Sequence, residues 1–98
     1  MNQIKLIDIN ESSKAFIIDH NGEKVAEMVI TIKNDVMSVH HTEVNRELEG
    51  KGVAKELLNE MAGHARANNL KVLPLCTYVC AQFRRNPEQY ADIWKKGV

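Results

Sequence analysis

Apolar and polar positions alternate with a period near two along the first half of the chain and near 3.6 along much of the second half. Residues 3 to 9 alternate loosely through Ile4, Leu6 and Ile9. After the polar link Asn10-Glu11-Ser12-Ser13, the run Lys14-Ala15-Phe16-Ile17-Ile18-Asp19 is rich in strand formers. Two strands are predicted there. The Asn21-Gly22 pair suits the positive φ angles of a tight hairpin turn, and it leads into Lys24 to Lys33 with Val25, Met28, Val29, Ile30 and Ile32. Asn34-Asp35 makes a further turn before a strand from Val36 to Val44. The N-terminal half is thus predicted to be an antiparallel meander.

At Gly50 the period changes. Ala54, Leu57, Leu58, Met61, Ala62 and Ala65 form one apolar stripe, with Lys55, Glu56, Asn59, Glu60, Arg66 and Asn68 mostly opposite. This spacing predicts an amphipathic helix lying on a sheet, ended at Asn68-Asn69 by the tolerance of asparagine for left-handed backbone. Leu70 to Leu73 reads as a short buried strand stopped by Pro74, which has no N–H to donate. Strand, helix and strand make a βαβ unit with parallel strands, whose ligands sit at the strands' carboxyl ends. A helix is expected from near Cys76 to Arg85. Asn86-Pro87-Glu88-Gln89 reads as a new N-cap with proline at the first helical position and Gln89 completing a capping box. A last helix should carry Tyr90, Ile93 and Trp94 inward. The fold class is α/β, with a mixed sheet and C-terminal helices.

Ninety-eight residues suit one domain spanning 1–98. The 13 basic and 13 acidic side chains cancel, so no global field favours nucleic acid or an anionic membrane, and any anion must be bound locally. No run approaches the roughly 20 apolar residues of a membrane helix, and the N-terminus has no basic leader, so a cytoplasmic protein is expected. Cys76 and Cys80, four apart in one predicted helix, are poorly placed for a disulfide and are expected as free thiols. No exposed heptad demands a partner, and a monomer is expected.

Chemistry concentrates between Thr42 and Leu58, where Gly50-Lys51-Gly52 joins a predicted strand to a predicted helix. Two glycines one residue apart let backbone N–H groups approach an anion, and the helix presents its positive end to the same point. An ordinary strand-to-helix turn has the same look. Residues further along the chain favour the anion-binding turn, because the next predicted strand ends near a cysteine and a tyrosine, Cys76 and Tyr78.

The arrangement resembles the acyl-CoA site of the GCN5-related N-acetyltransferases. The family signature Gln/Arg-x-x-Gly-x-Gly/Ala is met by Glu47-Leu48-Glu49-Gly50-Lys51-Gly52, with Glu47 departing from the first position. His41-Thr42-Glu43-Val44, Gly50-Lys51-Gly52-Val53-Ala54, Leu73-Pro74-Leu75-Cys76-Thr77-Tyr78-Val79 and Asn86-Pro87-Glu88-Gln89-Tyr90-Ala91-Asp92 match a small branch of the superfamily. These blocks cover roughly the C-terminal half.

The resemblance implies a GNAT-like acyltransferase fold and an enzyme that binds acetyl-CoA and moves the acetyl group to an amine or thiol of a small-molecule or peptide acceptor. Val44, Asn45 and Arg46 would pair with the pantetheine arm like an added strand. Backbone N–H groups of Glu49, Gly50, Lys51, Gly52, Val53 and Ala54 would cradle the pyrophosphate, with a grip weakened by Glu47. Tyr78 would protonate the departing CoA thiolate, or else is a packed helix-start residue. Compared with full-length acetyltransferases the chain lacks the first helices that usually cover the acceptor, implying an open or very small acceptor site. A non-catalytic CoA sensor is the alternative.

Cys76 follows the second parallel strand at a helix start, where the dipole favours a thiolate, and would face the thioester; a small buried apolar residue is the plainer reading. In a regular strand only one of His40 and His41 can face the site, and the family pattern selects His41 as a base towards Cys76 or an incoming amine. A Cys76 acyl-enzyme would split transfer into two steps, whereas direct attack by an amine needs only positioning, a base and an acid. Arg84 and Arg85, with Lys51, could meet CoA phosphates, although exposed arginines usually serve solvation. His41, Cys76 and Cys80 lack the close cysteine pair of a structural zinc site, so no metal is expected.

Overall fold

In the computed structural model, which describes residues 2–95, the hairpin turn at Asn21-Gly22 has φ angles of 54° and 81°. It joins β2 (Ser13–His20) to β3 (Glu23–Lys33). With β1 (Lys5–Asp8) and β4 (Val36–Val44) these strands form the expected antiparallel meander. After β4 come a 3-10 turn (Arg46–Leu48), α1 (Val53–Ala67) and β5 (Lys71–Pro74), and β5 pairs with β4 in parallel. The mixed sheet has the order β1-β2-β3-β4-β5.

Period-two alternation places Phe16 and Ile18 of β2, Ala26, Met28 and Ile30 of β3, and Met37 and Val39 of β4 in one buried cluster. The apolar stripe of α1, with Val53, Leu57, Leu58, Met61, Ala62 and Ala65 buried, completes it. Each large side chain buried this way contributes roughly 1.5–3 kcal/mol. Helix α1 stops as predicted: Asn69 takes a φ of 55°, and the Leu70 N–H reaches back to the Ala65 carbonyl at 2.8 Å.

The C-terminal segment departs from the sequence reading. Helix α2 (Thr77–Arg85) forms, but α3 (Pro87–Tyr90) is a single turn. The Asn86 side-chain amide donates to the Gln82 carbonyl at the end of α2, so it does not cap α3, and the capping box with Gln89 does not form. Beyond α3 the chain extends along the far side of β5. Val72 N–H donates to Ile93 O at 2.6 Å, Lys95 N–H donates to Val72 O at 2.9 Å, and Trp94 bridges Val72 in parallel. Tyr90 and Ile93 point inward, but Trp94 belongs to a rudimentary sixth strand and not to a helix. Phe83 stacks on Tyr90 with ring centroids 4.5 Å apart and meets Trp94 edge-on.

Two irregularities position the site. Strand β5 pairs only with Val36 to Val39 of β4, and the Cys76 N–H closes the contact on the Val39 carbonyl at 2.8 Å. From His40 to Val44 that side of β4 has no strand partner among the described residues, so the sheet opens. Second, the β3–β4 register slips between Val29 and Ile30, leaving His40 as an extra, bulged residue. Val39 pairs with Ile30 on the core face, His41 with Val29 on the outer face, and Thr42 with Met28 on the core face again. The strand is therefore not regular. His40 also reaches the outer face, where its Nε2 lies 2.9 Å from Thr31 Oγ1.

Candidate functional site

The end of β4, the turn after it and the starts of α1 and α2 enclose a shallow cleft of about 220 Å³. Its lining includes Val44, Leu48, Glu49, Gly50, Gly52, Val53, Ala54, Lys55 and Tyr78. Residues some 25 positions apart in the chain thus meet at the carboxyl end of β4.

Gly50 and Gly52 have φ angles of 79° and 78°, and a Cβ added at either would meet no atom within 4 Å. The glycines are required by left-handed backbone, not by crowding. The turn spends some of its own donors: Glu49 N–H goes to the Arg46 carbonyl at 3.1 Å and Lys51 N–H to the Leu48 carbonyl at 3.3 Å. The N–H groups of Gly50, Gly52, Val53 and Ala54 meet no backbone acceptor among the described residues, as expected at a helix start. They are the donors left open at this end of the cleft, a narrower set than the run from Glu49 to Ala54. Glu47 lies elsewhere, along a groove with His20, Glu23 and Leu48.

The strand-like edge is also displaced from the sequence reading. Asn45 N–H is donated to Val25 of β3 at 2.8 Å, and Arg46 has entered the 3-10 turn. By alternation, the backbone groups that point to the open side belong to Thr42 and Val44, not to Asn45 and Arg46.

Cys76 is 5% exposed and occupies the N-cap position of α2, with its Sγ 3.4 Å from Thr42 Oγ1. Tyr78, on the first turn of α2, is half-buried against the core and lines the cleft. Burial pushes its phenol above the usual value, with smaller contributions from Tyr90 and Cys76, so the hydroxyl keeps its proton at neutral pH. Cys80 is a free, half-buried thiol whose N–H bonds the Cys76 carbonyl within α2. Arg84 is exposed six residues beyond Tyr78, about 9 Å further along the helix axis, and does not line the cleft.

His41 is not brought to Cys76. The bulge at His40 puts His41 on the outer face, where its Nε2 lies 3.2 Å from Glu27 Oε2 and 3.4 Å from Glu43 Oε1. Thr42 takes the place beside the thiol. A zinc set of His41, Cys76 and Cys80 cannot assemble across the sheet. Glu27, His41 and Glu43 do offer one ligand-type atom each within 4.8 Å of one another, but Lys24 already engages Glu27. That Lys24 bond, assisted by the one to His41, holds the Glu27 carboxyl below the usual range against the opposing effect of burial.

Thr42 and Glu27 were not singled out by the sequence. The burial phase of β4 moves from odd positions, Met37 and Val39, to even ones, Thr42 and Val44, as a one-residue bulge requires, but the sequence carries no such mark because apolar Val36 already stands at an even position.

A family model described as GCN5-related N-acetyl-transferase matches residues 15–93. The chain superposes on a solution structure of a GCN5-like protein from Staphylococcus aureus with TM-score 0.69 and 29% identity, covering 98% of this chain and 90% of that one. It also matches a ribosomal-protein alanine N-acetyltransferase from Escherichia coli with TM-score 0.67, at 13% identity over 76% of this chain and 66% of that one. A ribosomal-protein-alanine N-acetyltransferase from Brucella melitensis gives TM-score 0.63 at 21% identity, over 91% and 66% of the two chains. These last two likenesses speak to fold alone. No curated protein matches the chain.

Proposed function

The chain belongs to the GCN5-related N-acetyltransferase family, and we propose that residues 1–98 form one minimal domain that binds acetyl-CoA and transfers its acetyl group to an amine of a small-molecule or peptide acceptor. The observation that carries this reading is the cleft, in which the open N–H groups of Gly50, Gly52, Val53 and Ala54 share one space with Tyr78 beside the sheet opening. The N–H groups suit the CoA pyrophosphate. The unpaired edge at Thr42 and Val44 suits the amides of the pantetheine arm, which would run towards Cys76 and Thr42.

In direct transfer, the acceptor ammonium gives a proton to His41 and the neutral amine attacks the thioester carbonyl. The C–N bond forms, the C–S bond breaks, and the CoA thiolate takes a proton from Tyr78, which solvent restores. The remaining amine proton is lost to water. The Thr42–Cys76 contact supports a second route: Cys76 Sγ attacks first, its proton passing to the departing CoA thiolate, and the acceptor then takes the acetyl group from Cys76. His41 cannot activate the thiol in this route. The free thiols Cys76 and Cys80 suit a reducing, cytoplasmic setting, and no described helix is long and apolar enough to cross a membrane.

The test is to incubate the protein with acetyl-CoA and a panel of primary amines, following CoA release and intact mass. CoA release with acetylated amine and no protein adduct is expected for direct transfer. An acetyl adduct on the protein that disappears in Cys76→Ala selects the two-step route. CoA binding at the Gly50 to Ala54 amides without thioester consumption would leave a non-catalytic CoA sensor, and no amide response there would defeat both readings.

A further inference from the structure

We propose that Glu27, on the outer face of β3, is a positioning residue that holds His41 in the tautomer able to take a proton from the acceptor. This deepens, and rests on, the reading of the chain as an acetyl-transferring enzyme with His41 as base. A carboxylate only accepts hydrogen bonds, so the 3.2 Å contact between Glu27 Oε2 and His41 Nε2 requires the proton on Nε2. In the neutral ring the lone pair then lies on Nδ1, the nitrogen turned away from Glu27.

Glu27 suits this task better than its neighbours do. Its side chain is 17% exposed, against 75% for Glu43, whose 3.4 Å approach to the same nitrogen is an ion-pair contact without a hydrogen bond. Lys24 anchors the Glu27 carboxylate from the same strand through its other oxygen, Oε1, so Oε2 is held towards the imidazole. The bulge at His40 makes the contact possible by turning His41 to the Glu27 side of the sheet. His41 itself remains 49% exposed, beside the stretch of β4 that has no β5 partner. The reacting machinery is thereby divided between two faces, with Cys76, Thr42 and Tyr78 on the cofactor side and the Glu27–His41 pair on the side open to an acceptor.

The experiment is long-range proton–nitrogen correlation of the His41 ring in the full-length, ¹⁵N-labelled protein above neutral pH, with CoA release assayed in parallel on the amine panel. In the unaltered protein the neutral ring should be locked with its proton on Nε2. Glu27→Ala should let the Nδ1-protonated form appear, and should lower kcat roughly tenfold to a hundredfold, part of what a well-placed base supplies. Glu27→Gln, which keeps the size and can donate as well as accept, should relax the ring even if Glu27→Ala folds poorly. Glu43→Ala should leave the ring locked. An unchanged ring in both Glu27 variants, or a relaxed ring with undiminished kcat, would overturn the proposal. A locked ring in a protein inert towards acetyl-CoA and every amine would sink the transfer reading instead, with the hold of Glu27 on His41 established.

Discussion

Cys76 Sγ lies 3.4 Å from the hydroxyl of Thr42, a residue 34 positions earlier on the neighbouring strand. The contact marks the point where β4 and β5 part: the Cys76 N–H makes the last link across the pair, and beyond it β4 runs on to Val44 paired with β3 but, among the described residues, with no strand on its other side. Under the proposed function, a thiol at a helix N-cap, beside the part of β4 that has no β5 partner among the described residues and two residues before Tyr78 of the cleft, is where the acyl thioester would lie. Placing it requires both the early end of β5 at Pro74 and the bulge that turns Thr42 inward.

Gly52→Ala should destabilise the protein by about 1–2 kcal/mol, the usual cost of left-handed backbone for an L-residue. Since a Cβ there meets nothing, strain is the whole effect, and Gly52→Asn should cost less. Urea unfolding should show a lower midpoint with an unchanged slope. A neutral alanine variant would mean the turn does not need this φ.

Tyr78→Phe should lower kcat with acetyl-CoA and an amine by about 10²-fold or more, as removal of a general acid does. Burial raises the phenol above its ordinary value, so the unaltered enzyme should keep its acid through the ordinary tyrosine range and lose activity only on its alkaline side. In the variant that alkaline limb should be absent. Rates in Tyr78→Phe equal to those of the unaltered enzyme at every pH from 7 to 10 would remove Tyr78 from the reaction.

Glu27 links stability to acid. Its folded carboxyl is held low, chiefly by the Lys24 hydrogen bond, so its contribution is fully present above the ordinary carboxylate value near 4.3 and is lost as pH falls through the lower folded value. Melting temperatures from pH 6 to pH 2 should therefore fall less steeply in Glu27→Gln than in the unaltered protein. Lys24→Met, which removes the main cause, should flatten the same limb in part.

Tyr90→Phe should be neutral or stabilising by about 1 kcal/mol. The Tyr90 ring is 1% exposed and stacked on Phe83, while its hydroxyl finds no partner among the described residues. Deleting an unsatisfied buried hydroxyl removes a desolvation cost and keeps the ring packing. Burial also raises this phenol, so stability lost on titration above about pH 10 should shrink in the variant. A loss above 1 kcal/mol would reveal a partner for the hydroxyl.

The sequence determined the elements that local chemistry specifies. The Asn21-Gly22 hairpin, the α1 stripe, the stop at Pro74 and the start of α2 beside Cys76 all arise from backbone preference or periodicity, which act within a few residues. Together with the Gly50-Lys51-Gly52 blocks they were enough to indicate the family and its mixed sheet. Where several local options were close in energy, neighbours in sequence could not choose. Asn86 can cap α3 or bind the end of α2, and it does the latter because the Gln82 carbonyl lies within reach. The face taken by His41 was decided by the β3–β4 register, since one extra residue at His40 inverts every side chain beyond it. That slip joins His41 to Glu27 and Thr42 to Cys76, and it arises from pairing between strands that no single stretch of the chain encodes.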